Sequence, residues 1–246
     1  MSYVTAIVLA AGKGLRFSRS NSSTVRSGTK PLIKVNSKPI IIYCLDTLSR
    51  HPGIRDIVVV VNTLNEGEII SRIRQYCIGK IRQVVKGGRR RQDSVINGLN
   101  AMDERTDLVL IHDAVRPFID KEIVSSVINE AERCGAAIVG VPVKATIKIA
   151  NRKSQIANRI IVKKTLDRNN LWEIQTPQVF KKNLILEAYK KFPDTEVTDD
   201  ASLVERWGAE VKIVKGSYSN IKITTPEDLV IAEAIAKNRL LTVTKH

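Results

Sequence analysis

An apolar run that ends abruptly in small residues constrains this chain more than any other stretch: Ala6 to Arg16, AIVLAAGKGLR. Val4 to Leu9 has the length and β-branched content of a parallel strand buried on both faces. Ala10, Ala11 and Gly12 follow, then a second glycine, Gly14. Small residues at a strand tip let a ligand approach the backbone, whose N–H groups can face phosphate oxygens. Arg16 comes next and Lys30 lies one loop later. A strand tip, a glycine loop and two cations predict a nucleoside triphosphate site.

Downstream, strand and helix patterns alternate. Asp56 to Val61 predicts a second strand, Ile81 to Val85 a third, Leu108 to Ile111 a fourth and Ala137 to Val141 a fifth. Helical periodicity falls between them, at Ile40 to Leu48, Glu66 to Tyr76, Arg91 to Ala101 and Lys121 to Cys134, the last stopped by Gly135. The alternation predicts an α/β fold. A single doubly wound, mostly parallel, Rossmann-like sheet is expected, in one domain over residues 1–246. In such sheets ligands bind beyond the carboxyl ends of the strands. That rule gathers three distant tips: the Gly12 loop, Gly87-Gly88 and His112-Asp113.

Residues 143–170 break the rhythm. Thr146 to Ile149 and Ile160 to Lys163 have strand character with polar turn residues between, which predicts a protruding β-arm. A two-stranded arm is marginal alone, so it is expected to pack on a second copy of the chain. The chain returns through Gln175-Thr176-Pro177-Gln178. Helices are expected over Lys182 to Lys191 and over Ala201 to Trp207, the latter capped by Thr198. Strands are expected over Glu210 to Val214 and Asn220 to Ile223. Thr225-Pro226-Glu227-Asp228 opens a last helix that runs to about Asn238.

The formal net charge of +15 suits an anionic ligand: nucleic acid, an anionic lipid surface or phosphorylated small molecules. Charge alone does not choose among them. Aromatic residues make up 4%, few platforms for stacking single strands. No run is long and apolar enough to span a membrane, and the N-terminus enters a strand with no room for a signal peptide. Cys44, Cys77 and Cys134 have no metal-like spacing and read as thiols in a reducing cytoplasm.

Phe17 stands where a dinucleotide fingerprint needs its third glycine, and no Gly-Lys-Ser/Thr follows at P-loop spacing. Gly87-Gly88 with Arg89-Arg90-Arg91 reads either as a turn with solvated charges or as a loop whose backbone meets a nucleobase, with Ser94 adding a hydrogen bond. Asp113, at a strand end, is placed to hold Mg²⁺ together with phosphate oxygens. His112 has no metal-ligand partners near it in sequence. Neither a Ser-His-Asp set nor a nucleophilic Cys pattern occurs. Positioning and charge neutralisation remain, which is the chemistry of phosphoryl and nucleotidyl transfer.

Eight pieces in order, LAAGKGLR, TKPL, GGRRRQDSV, HDAVRP, LDRNNLW, QTPQVF, TDDAS and NIKITTPEDL, resemble the 2-C-methyl-D-erythritol 4-phosphate cytidylyltransferases of isoprenoid synthesis. Together they reach from Ile7 to Ala234. The resemblance implies attack by the acceptor's phosphate on the α-phosphorus of CTP, with loss of pyrophosphate. It implies that Ala10, Ala11 and Gly12 contact the nucleotide through their backbone. Arg16 and Lys30 would neutralise charge on the pentacoordinate phosphate, Lys34 being the alternative to Lys30. Gly88 and Ser94 would read cytosine. Asp113 would assist Mg²⁺, with Ala114 near the ribose. Thr146, Arg168 and Thr198 would hold the polyol phosphate, and Lys222 the attacking phosphate. Arg116 and the arm bearing Thr146 resemble the family's dimer contacts, which implies a homodimer with shared sites.

Three departures stand out. The loop between Arg16 and Lys30 is longer than usual for the family. Arg89 stands where an acid often follows the glycine pair, and Ala145 where an acid often precedes the arm's threonine. The last bears on the acceptor's hydroxyls and keeps ribitol 5-phosphate cytidylyltransferase as the near alternative. The intact Gly-Gly-x-x-Arg-x-x-Ser-Val and Arg-Asn-x-Leu-Trp pieces favour methylerythritol phosphate. A basic nucleic-acid-binding protein is the alternative of another class, without a recognition-helix, zinc or aromatic-stacking signature.

Overall fold

A computed structural model describes residues 2–12, 29–151 and 160–243. Arg16 lies outside them. Strand β1 (Val4–Leu9) is buried along nearly its whole length, as its unbroken apolar run requires. A short turn at Lys30–Leu32 leads to the hairpin strands β2 (Lys34–Val35) and β3 (Lys38–Pro39), and then to α1 (Ile40–Arg50). Next come β4 (Ile54–Val61), α2 (Glu66–Gln75), β5 (Ile81–Lys86) and α3 (Arg91–Asn100). They are followed by β6 (Leu108–Asp113), α4 (Lys121–Cys134) and β7 (Ala136–Pro142). The arm is β8 (Lys148–Asn151) and β9 (Ile161–Thr165). The remainder is β10 (Trp172–Lys181), α5 (Lys182–Lys191), α6 (Ala201–Arg206), β11 (Lys212–Lys215) and α7 (Glu227–Val243).

Seven strands form one sheet in the order β11-β7-β10-β6-β1-β4-β5. All neighbours are parallel except β10, which runs antiparallel to both β6 and β7. Successive residues go to opposite faces. Ala6, Val8, Val59 and Leu110 pack against α1, α2 and α4 on one side, while Ile7, Val58, Val60 and Ile111 pack against α3, α5 and α6 on the other. A third cluster, around Phe118 and Ile223, seats α7.

Three local expectations need correction. β10 was expected only as a returning segment. Its Pro177 has no N–H to give a ladder, and the pairing with β7 shifts register between Gln175 and Gln178 to accommodate it. Asn220 to Ile223 is not a strand, because its backbone groups are claimed elsewhere: the Asn220 carbonyl accepts from the Arg116 guanidinium at 2.9 Å, and the Asn220 and Ile223 N–H groups donate to the Ser217 and Val115 carbonyls at 3.0 and 2.9 Å. At the start of α6 the N-cap position is Asp200 rather than Thr198, and the preceding Asp199 accepts the Ser202 N–H at 3.2 Å.

Candidate active site

The chain adds β4 and β5 on one side of β1, and β6, β10 and β7 on the other, so β1 and β6 flank the topological switch point. Leu9 and Asp113 are register partners there, and the Gly12 tip and Asp113 leave the sheet side by side. A cavity of about 580 Å³ opens above them. Ala10, Ala11, Gly12, Lys30, Gly88, Ser94, Asp113 and Lys222 all line it.

Each arrives for a local reason. Ala10 serves the scaffold: its N–H donates to the Val60 carbonyl at 2.7 Å and its carbonyl accepts from Asn65 Nδ2 at 3.0 Å. Both backbone groups of Ala10 are thus engaged within the chain. The glycine pair is required by space. A Cβ on Gly87 would lie 2.4 Å from the Ala11 Cβ, and one on Gly88 2.2 Å from the Asp93 Cβ. Ser94 Oγ accepts the Gly88 N–H at 3.1 Å and donates to the Arg90 carbonyl at 3.2 Å, which draws the loop tight. Lys30 is largely buried and its Nζ donates to the Thr224 carbonyl at 3.1 Å. Lys34 is exposed on β2 and lines neither this cavity nor the next, whereas Lys30 lines this one.

Lys222 rides on the irregular segment that replaces the expected strand. Asn220 Nδ2 donates to Gln175 Oε1 at 3.1 Å and to the Thr176 carbonyl at 2.9 Å. Asp228 accepts from the Thr224 and Thr225 N–H groups at 2.7 and 2.8 Å. So braced, the segment places Lys222 Nζ 2.7 Å from Asp113 Oδ2. Arg91 Nε and Arg116 Nε lie 3.9 and 4.0 Å from the same carboxylate. Burial alone would push the Asp113 pKa up, but Lys222, Arg91 and Arg116 outweigh it and hold the group well below the usual carboxylate range.

His112 contrasts with its neighbour. It is fully buried, with Nε2 3.0 Å from the Arg116 carbonyl and Nδ1 3.1 Å from Thr176 Oγ1. Burial pushes its pKa down to about 4, so the imidazole is neutral and acts as a strut between β6 and β10.

A second cavity of about 420 Å³ shares Arg91, Asp113 and Lys222 with the first and continues past Arg116, Gln178 and Thr198. Arg116, expected at a dimer contact, is buried here; its guanidinium donates to the Asn220 carbonyl at 2.9 Å and braces the Lys222 segment. Ala114, expected near the ribose, is fully buried and lines neither cavity; Val115 stands on the wall instead. Thr146 and Arg168 also line neither. Both are exposed at the root of the arm, where Arg168 donates to the Lys144 carbonyl at 2.8 Å.

Arg91 was given no role of its own in the sequence, where it stands in a run of three arginines. Its spacing held the signal: Arg91, Ser94 and Val95 share one helical face, and the last two are buried. Among the described residues no three His, Cys, Asp or Glu side chains converge as a metal cluster. Mg²⁺ does not need one, since it is commonly held by one or two carboxylates with substrate phosphates and water. Asp113, ionised and facing the cavity, fits that donor set.

The crevice thus presents cations around one acid, with the neutral His112 turned inward as a strut. That is the equipment of group transfer between phosphates, and with this fold it defines a nucleotidyltransferase of the α/β class. The sequence narrows the class further. The profile of the 2-C-methyl-D-erythritol 4-phosphate cytidylyltransferase family matches residues 4–238, and the chain belongs to that family. It is 44% identical over 244 residues to the enzyme of that name from Alkaliphilus metalliredigens, covering 97% of this chain and 95% of that one. It is also 44% identical over 237 residues to the one from Syntrophus aciditrophicus, covering 95% and 96%. The crystal structure of 4-diphosphocytidyl-2C-methyl-D-erythritol synthase from Anaerococcus prevotii superimposes with a TM-score of 0.81 at 36% identity, covering 96% of both chains. The cytidylyltransferase from Thermus thermophilus gives 0.73 at 28% identity, covering 96% of this chain and 99% of that one.

Proposed function

We propose that this chain transfers a cytidylyl group from CTP to 2-C-methyl-D-erythritol 4-phosphate, in the non-mevalonate route to isoprenoids, as a Mg²⁺-dependent homodimer of the cytoplasm. One observation carries the reading: two cavities meet at a wall made of Asp113, Lys222 and Arg91. CTP takes the first and the polyol phosphate the second, so that their phosphates face each other across Lys222. An oxygen of the acceptor's phosphate attacks the α-phosphorus of CTP and forms the new P–O bond. The bond from that phosphorus to the α,β-bridging oxygen breaks, and pyrophosphate leaves with the electron pair.

Lys30 and Lys222 stabilise the negative charge that builds up during the transfer. The backbone at Ala11 and Gly12 cradles the triphosphate, the Gly88 loop shaped by Ser94 receives the base, and Thr198 orients the acceptor. Mg²⁺, held by Asp113 and phosphate oxygens, offsets charge on the nucleotide when bound. What supports a homodimer is the arm. Every residue of β8 and β9 is exposed, including Ile149, Ile161 and Val162. Among the described residues Thr146 and Arg168 line neither of the two cavities, and in this reading the arm completes the site of a second copy. Arg16 lies outside the described residues; the family resemblance alone implies that it would neutralise charge on the triphosphate. Cys44, Cys77 and Cys134 are free, and burial pushes the Cys44 thiol up to about 12. Among the described residues no helix is long and apolar enough to cross a membrane.

The test is pyrophosphate release from CTP and Mg²⁺ with 2-C-methyl-D-erythritol 4-phosphate, with ribitol 5-phosphate, or with neither. Release with the first alone is expected. Release with ribitol 5-phosphate alone would move the acceptor, and release with neither would refute the reading.

A further inference from the structure

Arg91 faces two ways. Its Nη1 and Nη2 donate to Asp200 Oδ1 and Oδ2 at 2.9 and 2.7 Å, a bidentate pair, while its Nε points toward Asp113. Asp200 is fully buried at the start of α6. Tyr189 of α5 donates its hydroxyl to Asp200 Oδ1 at 2.6 Å, and Gln178 of β10 accepts the N–H groups of Asp200 and Ala201, both at 3.2 Å. The residue that opens α3, just after the Gly88 loop, is thereby tied to the turn that carries Thr198 and opens α6. As a stabiliser such a pair is weak, because desolvating both ions offsets most of their attraction. What two parallel hydrogen bonds do supply is a set distance and angle.

We infer that Arg91 is a positioning residue for cytidylyl transfer, its fork on Asp200 holding the nucleotide cavity and the second cavity at a set offset across the Asp113–Lys222 wall. This rests on the reading above, since it needs a reaction that spans both cavities. In-line attack tolerates little error: a misplacement of about 1 Å costs on the order of a hundredfold in rate. Arg91→Lys keeps a positive charge near Asp113, but one ammonium cannot reproduce the fork. Tyr189→Phe is the milder change, removing a single hydrogen bond to Asp200 and no charge.

The experiment measures kcat, KM for both substrates, CTP affinity by calorimetry, and Tm for wild type, Arg91→Lys, Tyr189→Phe and the double variant. Arg91→Lys is expected to lose kcat by about 30- to 100-fold while the Kd for CTP moves less than about threefold. Tyr189→Phe should lose kcat by roughly threefold or more, and the double variant no more than Arg91→Lys alone, because both act through Asp200. A CTP Kd that weakens in step with kcat would overturn the inference in favour of direct phosphate contact. Wild-type kcat in a folded Arg91→Lys protein with a lowered Tm would reduce the pair to a structural brace and also overturn it. Should Arg91→Lys not fold, Tyr189→Phe decides, and an unchanged kcat there sinks the inference. Wild type that releases no pyrophosphate is a different result, which refutes the proposed reaction itself.

Discussion

Asp113 and His112 are adjacent on one strand and both are buried, yet their surroundings drive them apart. Asp113 has three cations within 4.0 Å and stays ionised; His112 has neutral partners and stays neutral. The consequence for stability can be signed. The folded pKa of His112 is about 4 against an ordinary 6.5, so below about 6.5 only the unfolded chain takes up the proton. The stability is fully present above about 6.5 and is lost as pH falls toward about 4, by on the order of 3 kcal/mol. His51, lowered by burial and by Lys80, adds a contribution of the same sign. Asp113 acts in another window: its depressed pKa stabilises above the ordinary carboxylate range and that contribution fades only in stronger acid. His112→Gln should therefore flatten the fall in Tm between pH 6.5 and 4, read by calorimetry at stepped pH. An unchanged slope would assign the loss to other groups. The sequence displayed Asp113 as a strand-end acid but not what surrounds it, since Arg91 and Lys222 reach it through contacts distant along the chain.

The parallel strands were legible because burial on both faces forces continuous apolar runs, and β1, β4 and β6 show them. β10 was not. Pro177 interrupts its ladder, polar Gln175, Thr176 and Gln178 occupy its middle, and the side chains of Gln175 and Gln178 bond the Ser217 carbonyl and Asp199 instead of showing a strand period. The segment from Asn220 to Ile223 misled in the opposite direction: its alternation is real, with Ile223 in the core and Lys222 at the cavity, but other groups hold its backbone. The arm was legible as strand pattern without core. Because β8 and β9 bury nothing in their own chain, excising residues 145–166 behind a short Gly-Ser link should uncover no core. The shortened chain is expected to keep a cooperative transition with Tm within a few degrees of wild type, to sediment as a monomer, and to lose turnover. A shortened chain that remains a dimer would place the interface elsewhere.

At the scale of the whole molecule, the cavities and the arm of one chain serve different sites in the proposed dimer. This geometry predicts complementation. Lys30→Ala removes a charge from the nucleotide cavity, and Arg168→Ala removes one from the arm; each homodimer should fold and lose about two orders of magnitude in turnover, the scale of one missing transition-state group. Mix them in equal amounts and let subunits exchange, and half of the dimers pair one variant with the other. In such a pair, the cavity with an intact Lys30 belongs to the Arg168→Ala chain, and the arm that reaches it comes from the Lys30→Ala chain with Arg168 intact. The opposite site carries both lesions. One site in two works in half of the dimers, so activity should return to about one quarter of wild type. If Arg168 served its own chain's cavity, every site in the mixture would carry one lesion and nothing would return. The regained activity should appear after mixing at the rate of subunit exchange, which separates it from the residual activity of either variant, present from the start.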